Sequence, residues 1–523
     1  MSSTYILDNA EEGFSDRMDF FNVPPVDTSV TEVYVQEFDP INPISDRSNI
    51  TFDIQNQTGE YIDLKNTRVI TTLLLRGDDG KAIQEIDDVT LINMPCVSIY
   101  RQMEVKLQKT AINTGVGANL PYKGVLDTLL GYGVNDYLSW FSLGGFFKDT
   151  ATVMDNHESK GSANSGLVAR NRLTKAGREV ELISPLVCDL AEQNKLLING
   201  VNLTIKLYPA NEDFRLMYKA FTPTSYAVDD DDNDTDTDND TDDSDDCHGG
   251  EDNVTGDEHN ISKGKRKKQT HVRKSSIKKS KKKNKGRKKT KRSNTSSAIA
   301  AVVRTSKKYS VSIKSVVLSI PFVKVNNATL EVVSKRLERN HAVYPFMKSE
   351  VIAFNIPVGS YKWGSNQVFQ DSIPDTVVIA LVSGKAYNGD HTKNPFNFQT
   401  FNLNRISFSV NGKSVPGPPL EPDYKETEFS RAYATIFESR PPWQKEAPGI
   451  QLSEYAHGYA IYVFDIEKHR AKDFSSPMRT GNTKVEIGFA DKTTESINVI
   501  VYGKIPSVFK IDDARNVYLE NQA

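Results

Sequence analysis

The residues best suited to chemistry, eight histidines and three cysteines, follow no spacing typical of a catalytic or metal site. No two histidines form HxxxH or HExxH, and Cys96, Cys188 and Cys247 lie far apart without a CxxC pair. Structural zinc sites need such clustered ligands, and well-separated single cysteines are typical of reduced thiols. The chain also lacks GxSxG, the phosphate-binding GxxxxGKS or GxxxxGKT, and a GxGxxG that opens a helix. We therefore expect no enzyme activity, cofactor, bound metal or small-molecule substrate.

A run of aspartates superficially resembles a calcium-binding loop. Asp234, Asp236 and Asp238 occupy alternate positions, as the first ligands of an EF-hand do. The sixth position of that loop needs glycine and the twelfth needs a bidentate glutamate, but this sequence has Asn239 and Asp245 there. The run therefore predicts weak association with divalent ions and no EF-hand.

The aspartates begin a segment of opposite charges. Residues 229–258 contain 16 acidic and no basic residues, whereas residues 263–292 contain 18 basic and no acidic residues. Such blocks bury too little apolar surface to offset the entropy of ordering, so we expect disorder. The basic run fits nuclear import, polyanion binding through phosphate neutralisation, or plain solvation, and the acidic run would compete for its charges. The residues that would carry import or polyanion binding are Lys265, Arg266, Lys267, Lys268, Lys281, Lys282, Lys283, Arg287, Lys288 and Lys289.

The rest of the chain predicts a soluble intracellular protein. Outside residues 229–292, acidic residues slightly outnumber basic ones, which does not favour nucleic-acid binding by the folded part. The N-terminus has no basic start followed by an apolar run, and no window approaches 18 consecutive apolar residues. These features predict neither a secretory signal nor a membrane span.

The uncharged parts of the sequence predict short β-strands. Alternation in stretches such as 49–55 and 97–108 is typical of strands with one buried face. Each half of the chain shows three strands, a short helical pattern (122–132 or 429–439), a long loop and three closing strands, and a helical pattern at 328–339 separates the halves. Short antiparallel strands with long connections predict an all-β fold of two consecutive eight-stranded antiparallel jelly rolls, with short helices in the loops.

This repeated order sets the predicted domain bounds. A five-residue turn at 491–495 joins the last two strands of the second half, and the equivalent turn of the first half lies between Pro209 and Tyr309. The charged segment is therefore predicted to be an insertion within the first jelly roll, where closure cost grows slowly with length. The predicted bounds are an N-terminal arm at 1–48, a first jelly roll at 49–340 interrupted by a disordered insertion at 229–300 and closed by a strand at 309–325, a second jelly roll at 341–512, and a C-terminal tail at 513–523.

Stretches spread over nearly the whole chain, in the same order, resemble a known family. The chain resembles the double jelly-roll (hexon-like) major capsid proteins of Polinton/Maverick elements and adintoviruses. The charged insertion departs from the pattern of that family, and none of the matching stretches is a chemical motif. The stretches are DFFNVPP (19–25), YIDLKNT (61–67), VLDTLLGYG (125–133), FFKDT (146–150), LLINGV (196–201), KNPFNFQTFNLNRISFSVNG (393–412), YAHGYAIYVFDI (455–466) and INVIVYG (497–503).

The resemblance implies a structural function. It implies a major capsid subunit that forms homotrimers, pseudo-hexagonal capsomers and an icosahedral shell, with neighbouring capsomers and a penton or minor capsid protein as partners. It further implies location in the virion. If the basic run is an import signal, we expect an import receptor as its partner and assembly in the host nucleus. The loops at 133–178 and 413–456 would form trimer contacts and outward towers. Interface cores favour aromatic side chains, and the candidates are Trp140, Phe146, Phe147, Phe396, Phe398 and Trp443.

A further expectation concerns the end of the first jelly roll at which the charged segment lies. Successive jelly-roll connections alternate between the two ends of a jelly roll. We expect the last connection, which carries the charged segment, to lie beside the fourth-to-fifth and sixth-to-seventh connections at the outward end.

The alternative functions are a minor or penton capsid protein, or a β-sandwich binding module. Such a module would bind nucleic acid through the basic run, or a glycan through the aromatics at 394–402 or 441–444.

Overall fold

Two β-sandwiches follow one another in the computed structural model, which describes residues 27–112, 119–219, 308–370, 372–438, 446–467 and 477–520. The described residues form one compact unit. The strands of the first sandwich are β1 (Val30–Phe38), β2 (Ile50–Ile54), β3 (Glu60–Ile62), β4 (Arg68–Gly77), β5 (Val89–Leu91), β6 (Tyr100–Leu107), β7 (Thr110–Ala111), β8 (Val180–Pro185), β9 (Leu203–Pro209), β10 (Leu216–Tyr218) and β11 (Tyr309–Val325). Those of the second are β12 (Ala342–Ile356), β13 (Lys362–Asn366), β14 (Thr376–Ser383), β15 (Leu403–Val410), β16 (Lys413–Ser414), β17 (Ile461–Asp465), β18 (Thr483–Phe489), β19 (Ile497–Ile511) and β20 (Val517–Glu520).

Both sandwiches have the same strand order. In the first sandwich, the strand order is β1-β11-β4-β8 in one sheet and β2-β9-β6-β7 in the other. In the second sandwich, the orders of the two sheets are β12-β19-β14-β17 and β13-β18-β15-β16. Counted by rank among the eight principal strands, the orders are 1-8-3-6 and 2-7-4-5 in both cases. Sequence-adjacent sandwich strands therefore mostly lie in opposite sheets, which is the jelly-roll arrangement. The prediction of two consecutive antiparallel jelly rolls is confirmed.

The first strand of the first sandwich lies in the segment that the sequence predicted to be an arm. β1 pairs antiparallel with the closing strand β11, with Val35 opposite Pro321 and Phe38 opposite Leu318. The stretch escaped prediction because nearly all of its side chains remain exposed, so it has no clear alternation of buried residues. The first sandwich begins at Val30, and not at residue 49.

Patterns of apolar residues follow the burial of each strand. In β2, Ile50, Phe52 and Ile54 are fully buried and the residues between them are not, as expected for a strand with one face in the core. β14 has seven consecutive buried residues, and the first seven residues of β19 are also buried. Continuous burial requires cover on both faces, so this sheet of the second sandwich has a second neighbour besides its own partner sheet.

The connections between the sheets alternate between the two ends of a sandwich. In the first sandwich the β4–β6, β7–β8 and β9–β11 connections meet at one end, here called the loop end. β5 in the first of these pairs with β10 in the third. By rank, these are the third-to-fourth, fifth-to-sixth and seventh-to-eighth connections. The seventh-to-eighth connection thus lies at the same end as the other two. The prediction that placed it beside the fourth-to-fifth and sixth-to-seventh connections is wrong, because those cross at the opposite end.

The charged segment belongs to the β9–β11 connection of the first sandwich. Residues 220–307, which include it and the calcium-like aspartates, lie outside the described residues. The rings of Tyr218 and Tyr309, on either side of this stretch, are 5.0 Å apart between centroids. The chain therefore leaves and re-enters the fold at nearly the same point.

The helices lie in the connections. The fifth-to-sixth connection of each sandwich contains the helix predicted there, α2 in the first and α7 in the second, and α5 links the sandwiches. No helix in the described ranges is long and apolar enough to span a membrane. The helices are α1 (Pro95–Ser98), α2 (Leu120–Gly131), α3 (Val134–Leu138), α4 (Ser165–Thr174), α5 (Asn327–Leu337), α6 (Gly384–Asn388), α7 (Ser430–Glu438) and α8 (Leu452–Tyr455).

Candidate functional site

The two sandwiches meet across a cluster of charges, here called the charge cluster. The Lys123 ammonium of α2 lies 2.8 Å from the Asp127 carboxylate, 2.9 Å from Glu192 and 3.6 Å from Asp189. From β19 of the second sandwich, the Lys504 ammonium lies 3.4 Å from Asp127 and 3.6 Å from Glu192. The Lys123 and Asp189 side chains are each 1% exposed. Buried charges are tolerated only when paired, and here three carboxylates pair both lysines, with Lys504 making the ion pairs that cross between the sandwiches.

The pKa values of the cluster reflect opposing effects of burial and charge. Burial by itself lowers the pKa of Lys123, but the carboxylates of Asp127, Glu192 and Asp189 outweigh it and raise that pKa well above its usual value. Burial raises the pKa of Asp127, but the ammonium groups of Lys123 and Lys504 lower it to about 2. Burial raises the pKa of Asp189 and Lys123 only partly opposes this. Lys123 and Asp127 are therefore ionised partners at neutral pH.

Side chains of the first sandwich also close the backbone edge of β12. The Ser349 amide donates a hydrogen bond to the Asp189 carboxylate (2.9 Å), and the Asn119 amide donates to the Val351 carbonyl (3.0 Å). The Lys195 ammonium donates to the carbonyl of Val343 (2.8 Å). An edge strand otherwise presents unpaired backbone groups, so these contacts satisfy the edge and fix the second sandwich against the first.

A polar network joins the sandwiches a second time at the loop end. The buried Arg170 guanidinium of α4 donates to the Asp149 carboxylate (2.9 Å) and to the Leu91 carbonyl of β5 (3.0 Å). From the second sandwich, the Asn394 side-chain amide donates to the same carboxylate (3.0 Å) and the Tyr459 hydroxyl to the Asp149 carbonyl (2.6 Å). Asp149 thus connects three loops through bonds that its full burial strengthens.

An exposed apolar ridge follows α2 along the first sandwich. Its members lie within twelve residues, and the Arg68 guanidinium stacks over the Trp140 ring at 4.9 Å. Such a concentration of apolar side chains on a surface is typical of a protein contact. The ridge consists of Tyr132 (43% exposed), Val134 (50%), Leu138 (75%), Trp140 (39%) and Leu143 (46%).

The predicted interface aromatics occupy different environments. Phe146, Phe396 and Phe398 are at most 2% exposed, so they pack inside the chain and are not available to a neighbouring subunit in this conformation. The Phe396 ring meets the edge of Tyr122 of α2 at 5.8 Å, which makes it a contact between the two sandwiches. These side chains are buried because loops of the fold pack against each other. A local sequence pattern does not reveal such packing. It also leaves residues 394–402 without exposed phenylalanines for a glycan.

Other predicted residues lie at the surface or outside the described ranges. Trp140 is exposed and Phe147 is half-buried. Trp443, the 441–444 stretch and the basic run from Lys265 to Lys289 lie outside the described residues. Trp140 is thus the described candidate with the most exposed ring. Within the described ranges, no three histidine, cysteine, aspartate or glutamate residues are grouped to hold a metal.

Sequence reasoning missed the charge cluster and the Asp149 network. Lys123 and Asp127 are the only charged residues of α2, LPYKGVLDTLLG, and their spacing of four could have been noticed. That spacing more often marks an exposed ion pair on a helix surface. Their partners Asp189 and Lys504 come from distant parts of the chain, so no local signal indicated burial.

Comparison with curated sequences gives one partial relative. No family model matches the chain. An uncharacterized protein of Caenorhabditis elegans is 25% identical over 190 residues, which cover 35% of this chain and 45% of that protein. The match thus spans less than half the length of the curated relative.

Solved structures resemble the chain over nearly its full length. A chain of the Sputnik virophage structure, determined by cryo-electron microscopy, aligns with a TM-score of 0.57 at 11% identity, covering 99% of this chain and 94% of the other. The PBCV-1 VP54 crystal structure, fitted into a reconstruction of Sputnik, aligns with a TM-score of 0.50 at 9% identity, covering 96% of this chain and 100% of the other. The Faustovirus major capsid protein aligns with a TM-score of 0.49 at 9% identity, covering 94% of this chain and 92% of the other. The first two alignments include both sandwiches and establish the shared double jelly-roll fold.

Proposed function

We propose that this chain is a major capsid subunit that trimerises into pseudo-hexagonal capsomers of an icosahedral viral shell. The observation that carries the proposal is the repeated strand order, 1-8-3-6 and 2-7-4-5, in two sandwiches of one chain. Three copies then supply six similar sandwiches, which suit a ring of near-sixfold outline. The Sputnik chain that shares this fold over 99% of the present chain comes from a virophage.

The contacts between the sandwiches suit this function. A shell subunit must present its surfaces in fixed positions, and the charge cluster, the closed edge of β12 and the Asp149 network hold the two sandwiches together at separate places. The origin we propose, a capsid gene carried in an animal genome as in Polinton/Maverick elements, rests on the family resemblance of the sequence. The virion is then the site of function, and neighbouring capsomers and a penton or minor capsid protein are the partners.

Mass and particle shape test the capsid function. Purified full-length protein is analysed by size exclusion with light scattering and by negative-stain electron microscopy. We expect three times the chain mass of 58.4 kDa, together with hexagonal capsomers or shells. A monomer with salt-dependent DNA affinity, lost on deletion of residues 263–292, would instead indicate a nucleic-acid-binding module.

The apolar ridge is the proposed contact with a neighbouring subunit, with Trp140 as its aromatic anchor. The double variant Leu138→Asp and Trp140→Ala should lower the yield of assembled particles while the circular dichroism spectrum stays unchanged. Ile86→Asp is the matched control, because Ile86 is also 75% exposed but lies in the β4–β6 connection. Equal particle yields from both variants would remove the ridge from the list of contacts.

The loop end is the proposed exterior of the shell, because it carries the long fifth-to-sixth connection that the family resemblance assigns to the outward towers. The charged segment is attached at this end and not at the end with the fourth-to-fifth and sixth-to-seventh connections, where the sequence analysis placed it. Trypsin should cleave residues 263–292 in intact particles before it cleaves the sandwiches. Protection of these lysines until the shell is opened would place the segment inside.

The basic run is also the proposed signal for import into the nucleus, where assembly would take place. A fluorescent protein fused to residues 263–292 should accumulate in the nucleus. The same fusion with Lys281, Lys282 and Lys283 changed to alanine should accumulate less. Equal distributions of the two fusions would exclude import through these lysines.

A further inference from the structure

Within the described ranges, two arginines are fully buried, and they differ in their partners. Arg170 is 0% exposed and pairs with the Asp149 carboxylate at 2.9 Å. Arg215, the residue before β10, is 1% exposed, and its guanidinium bonds only to backbone carbonyls of the described residues. A buried charge without a counter-charge is costly. Arg215 therefore lacks the compensation that Arg170 has.

The guanidinium of Arg215 uses only one of its three nitrogens for hydrogen bonds within the protein. Nη2 donates to the carbonyl of Asp46 at 2.8 Å and to the carbonyl of Ala210. Nε and Nη1 are buried and have no acceptor among the described residues. A guanidinium has five N–H groups, of which Nε carries one and each Nη carries two. Three N–H donors of Arg215 are thus left without an acceptor.

The hydroxyl of Tyr100 adds a fourth donor near this guanidinium. Tyr100 is the first residue of β6 and is 2% exposed, and its hydroxyl has no hydrogen-bond partner in the part of the chain that the structure describes. The backbone brings the two residues together, because the Ala210 amide donates to the Ile99 carbonyl at 2.7 Å while the Ala210 carbonyl accepts from Arg215. Burial raises the pKa of Tyr100, whereas the neighbouring Thr71 hydroxyl and the Arg215 guanidinium lower it. The phenol and the guanidinium are therefore close enough to interact.

The carboxylates around Arg215 have other partners. The Asp46 carboxylate accepts from the Ile313 amide at 2.7 Å, and Glu212 pairs with Arg47 at the surface at 3.1 Å. Burial lowers the pKa of Arg215, and the carboxylates of Asp46 and Glu212 oppose this only in part. Protein groups in direct contact thus do not neutralise the positive charge of Arg215.

We infer that Arg215 and Tyr100 bind a small monovalent anion, of the size of chloride, inside the first sandwich. Four donors without an acceptor favour an anion over a water molecule, because an anion only accepts hydrogen bonds whereas water must also donate its own hydrogens. An anion also supplies the counter-charge that Arg215 needs. Both side chains are buried, so the ligand must be small.

The anion site would join several connections at the loop end. Arg215 reaches the 39–49 loop through the Asp46 carbonyl and the end of β9 through Ala210. Its own carbonyl accepts from the Ile92 amide, next to β5, at 3.1 Å. β10 begins at the following residue and is the last described strand before the charged segment. A bound anion would therefore stabilise the place at which that segment leaves the fold.

Thermal unfolding of the full-length protein tests the site, with chloride as the probe. The melting temperature is measured by calorimetry in mixtures of sodium chloride and sodium gluconate at constant ionic strength, because gluconate is too large for an enclosed site. We expect the melting temperature to rise with the chloride concentration and to level off at saturation, since an anion that binds only the folded state stabilises it. Equal melting temperatures in all mixtures would overturn the inference.

Tyr100→Phe removes one donor and keeps the charge of Arg215. The chloride concentration that gives half of the stabilisation should rise about tenfold, which is the effect of losing one hydrogen bond to an ion. Tyr61→Phe is the matched control, because the Tyr61 hydroxyl is also buried without a partner among the described residues but lies in β3, at the opposite end of the first sandwich. The control should keep the chloride dependence of the wild type. The same dependence in both variants would contradict the inference.

Bromide locates the ion directly. In crystals of the full-length protein grown in sodium bromide, anomalous diffraction should show a peak within hydrogen-bond distance of Nε or Nη1 of Arg215. Density at this place that refines as water, or bromide peaks at exposed lysines only, would overturn the inference. Neither measurement depends on whether the protein assembles into a shell, so the capsid proposal and the anion site can fail separately.

Discussion

The two sandwiches of this chain share one strand order, but their equivalent outer faces meet different surroundings. In the second sandwich the face around Tyr502 is buried by α2 and the charge cluster, whereas in the first sandwich Val33 and Val35 are exposed. The burial patterns reflect this difference, since seven consecutive residues are buried in β14 and in β19, whereas β1 is mostly exposed. Equal topology thus does not mean equal environment, because each face is determined by its neighbour.

The seventh-to-eighth connections differ as well. In the second sandwich, β18 ends at Phe489 and β19 begins at Ile497. In the first, β9 ends at Pro209 and β11 begins at Tyr309, and the charged segment lies between them. One sandwich closes with a tight turn and the other closes around an insertion whose two ends are in contact. The closing strand pairs normally in both.

Removal of Lys123, the central cation of the charge cluster beside the buried outer face of the second sandwich, should cause the largest loss in the free energy of unfolding. Lys123→Met leaves Asp189, which is 1% exposed, without its nearest cation. Breaking one partner of a buried ion pair costs about 3–5 kcal/mol. We expect a loss of about 3 kcal/mol in the free energy of unfolding by urea, because Lys504 still neutralises part of the cluster.

A surface pair provides the control for this variant. Lys335 pairs with Glu331 on α5, and both side chains are about two-thirds exposed. Lys335→Met should change the free energy of unfolding by less than about 0.5 kcal/mol. Similar losses for both lysines would mean that the charge cluster does not stabilise the interface.

Low pH should destabilise the contact between α2 and the outer face of the second sandwich, because the Asp127 carboxylate becomes protonated. Its pKa is about 2 in the fold and 3.8 ordinarily, so the folded state favours the ionised form. A lowered carboxylate pKa adds stability that is complete above the ordinary pKa and is lost as the pH falls from about 4 to about 2. This contribution is about 2 kcal/mol. Asp189, with its raised pKa, contributes in the opposite sense.

Urea titrations of wild type and Asp127→Asn at pH 5, 4, 3 and 2.5 measure this contribution. The wild type should be the more stable protein at pH 5, and the difference in the free energy of unfolding should shrink toward pH 2.5. A difference that stays constant over this range would show that Asp127 has an ordinary pKa in the fold.

Shortening the insertion should make the two closing connections alike. Replacing residues 222–305 by a seven-residue glycine-serine linker leaves Tyr218 and Tyr309 in contact. Each halving of loop length removes about 0.6 kcal/mol of closure entropy, so three halvings should stabilise the fold by at most about 2 kcal/mol. Calorimetric melting temperature is the measurement. A lower melting temperature would mean that the segment contributes contacts to the sandwiches.

Loss of one bond at the loop end should have the smallest effect. Tyr459→Phe removes the hydroxyl that donates to the Asp149 carbonyl, while the bond from Arg170 to the Asp149 carboxylate remains. A single hydrogen bond contributes about 1 kcal/mol, and we expect a loss of this size. Asn66→Ala is the control, since Asn66 is exposed and bonds locally to Asp63. A loss above about 3 kcal/mol would indicate that the whole network depends on the Tyr459 hydroxyl.

Sequence patterns predicted most strands and the principal helices because these depend on local alternation and spacing. α2, α5 and α7 lie where their patterns indicated, and the order of elements in the two halves predicted two jelly rolls. β1 and β13 were missed because both are exposed edge strands without a buried alternation. The end of the seventh-to-eighth connection was predicted wrongly, although strict alternation of ends already places it with the third-to-fourth and fifth-to-sixth connections.

Local sequence patterns were sufficient to predict most strands, the duplication of one architecture and the position of the charged insertion between β9 and β11. The burial of particular aromatic side chains, the pairing of Lys123 with Asp189 and the cover over the outer face around Tyr502 became known from the three-dimensional structure. These features depend on contacts between residues far apart in the chain. A local pattern records that a side chain is apolar or charged, whereas its burial depends on what another part of the fold places against it.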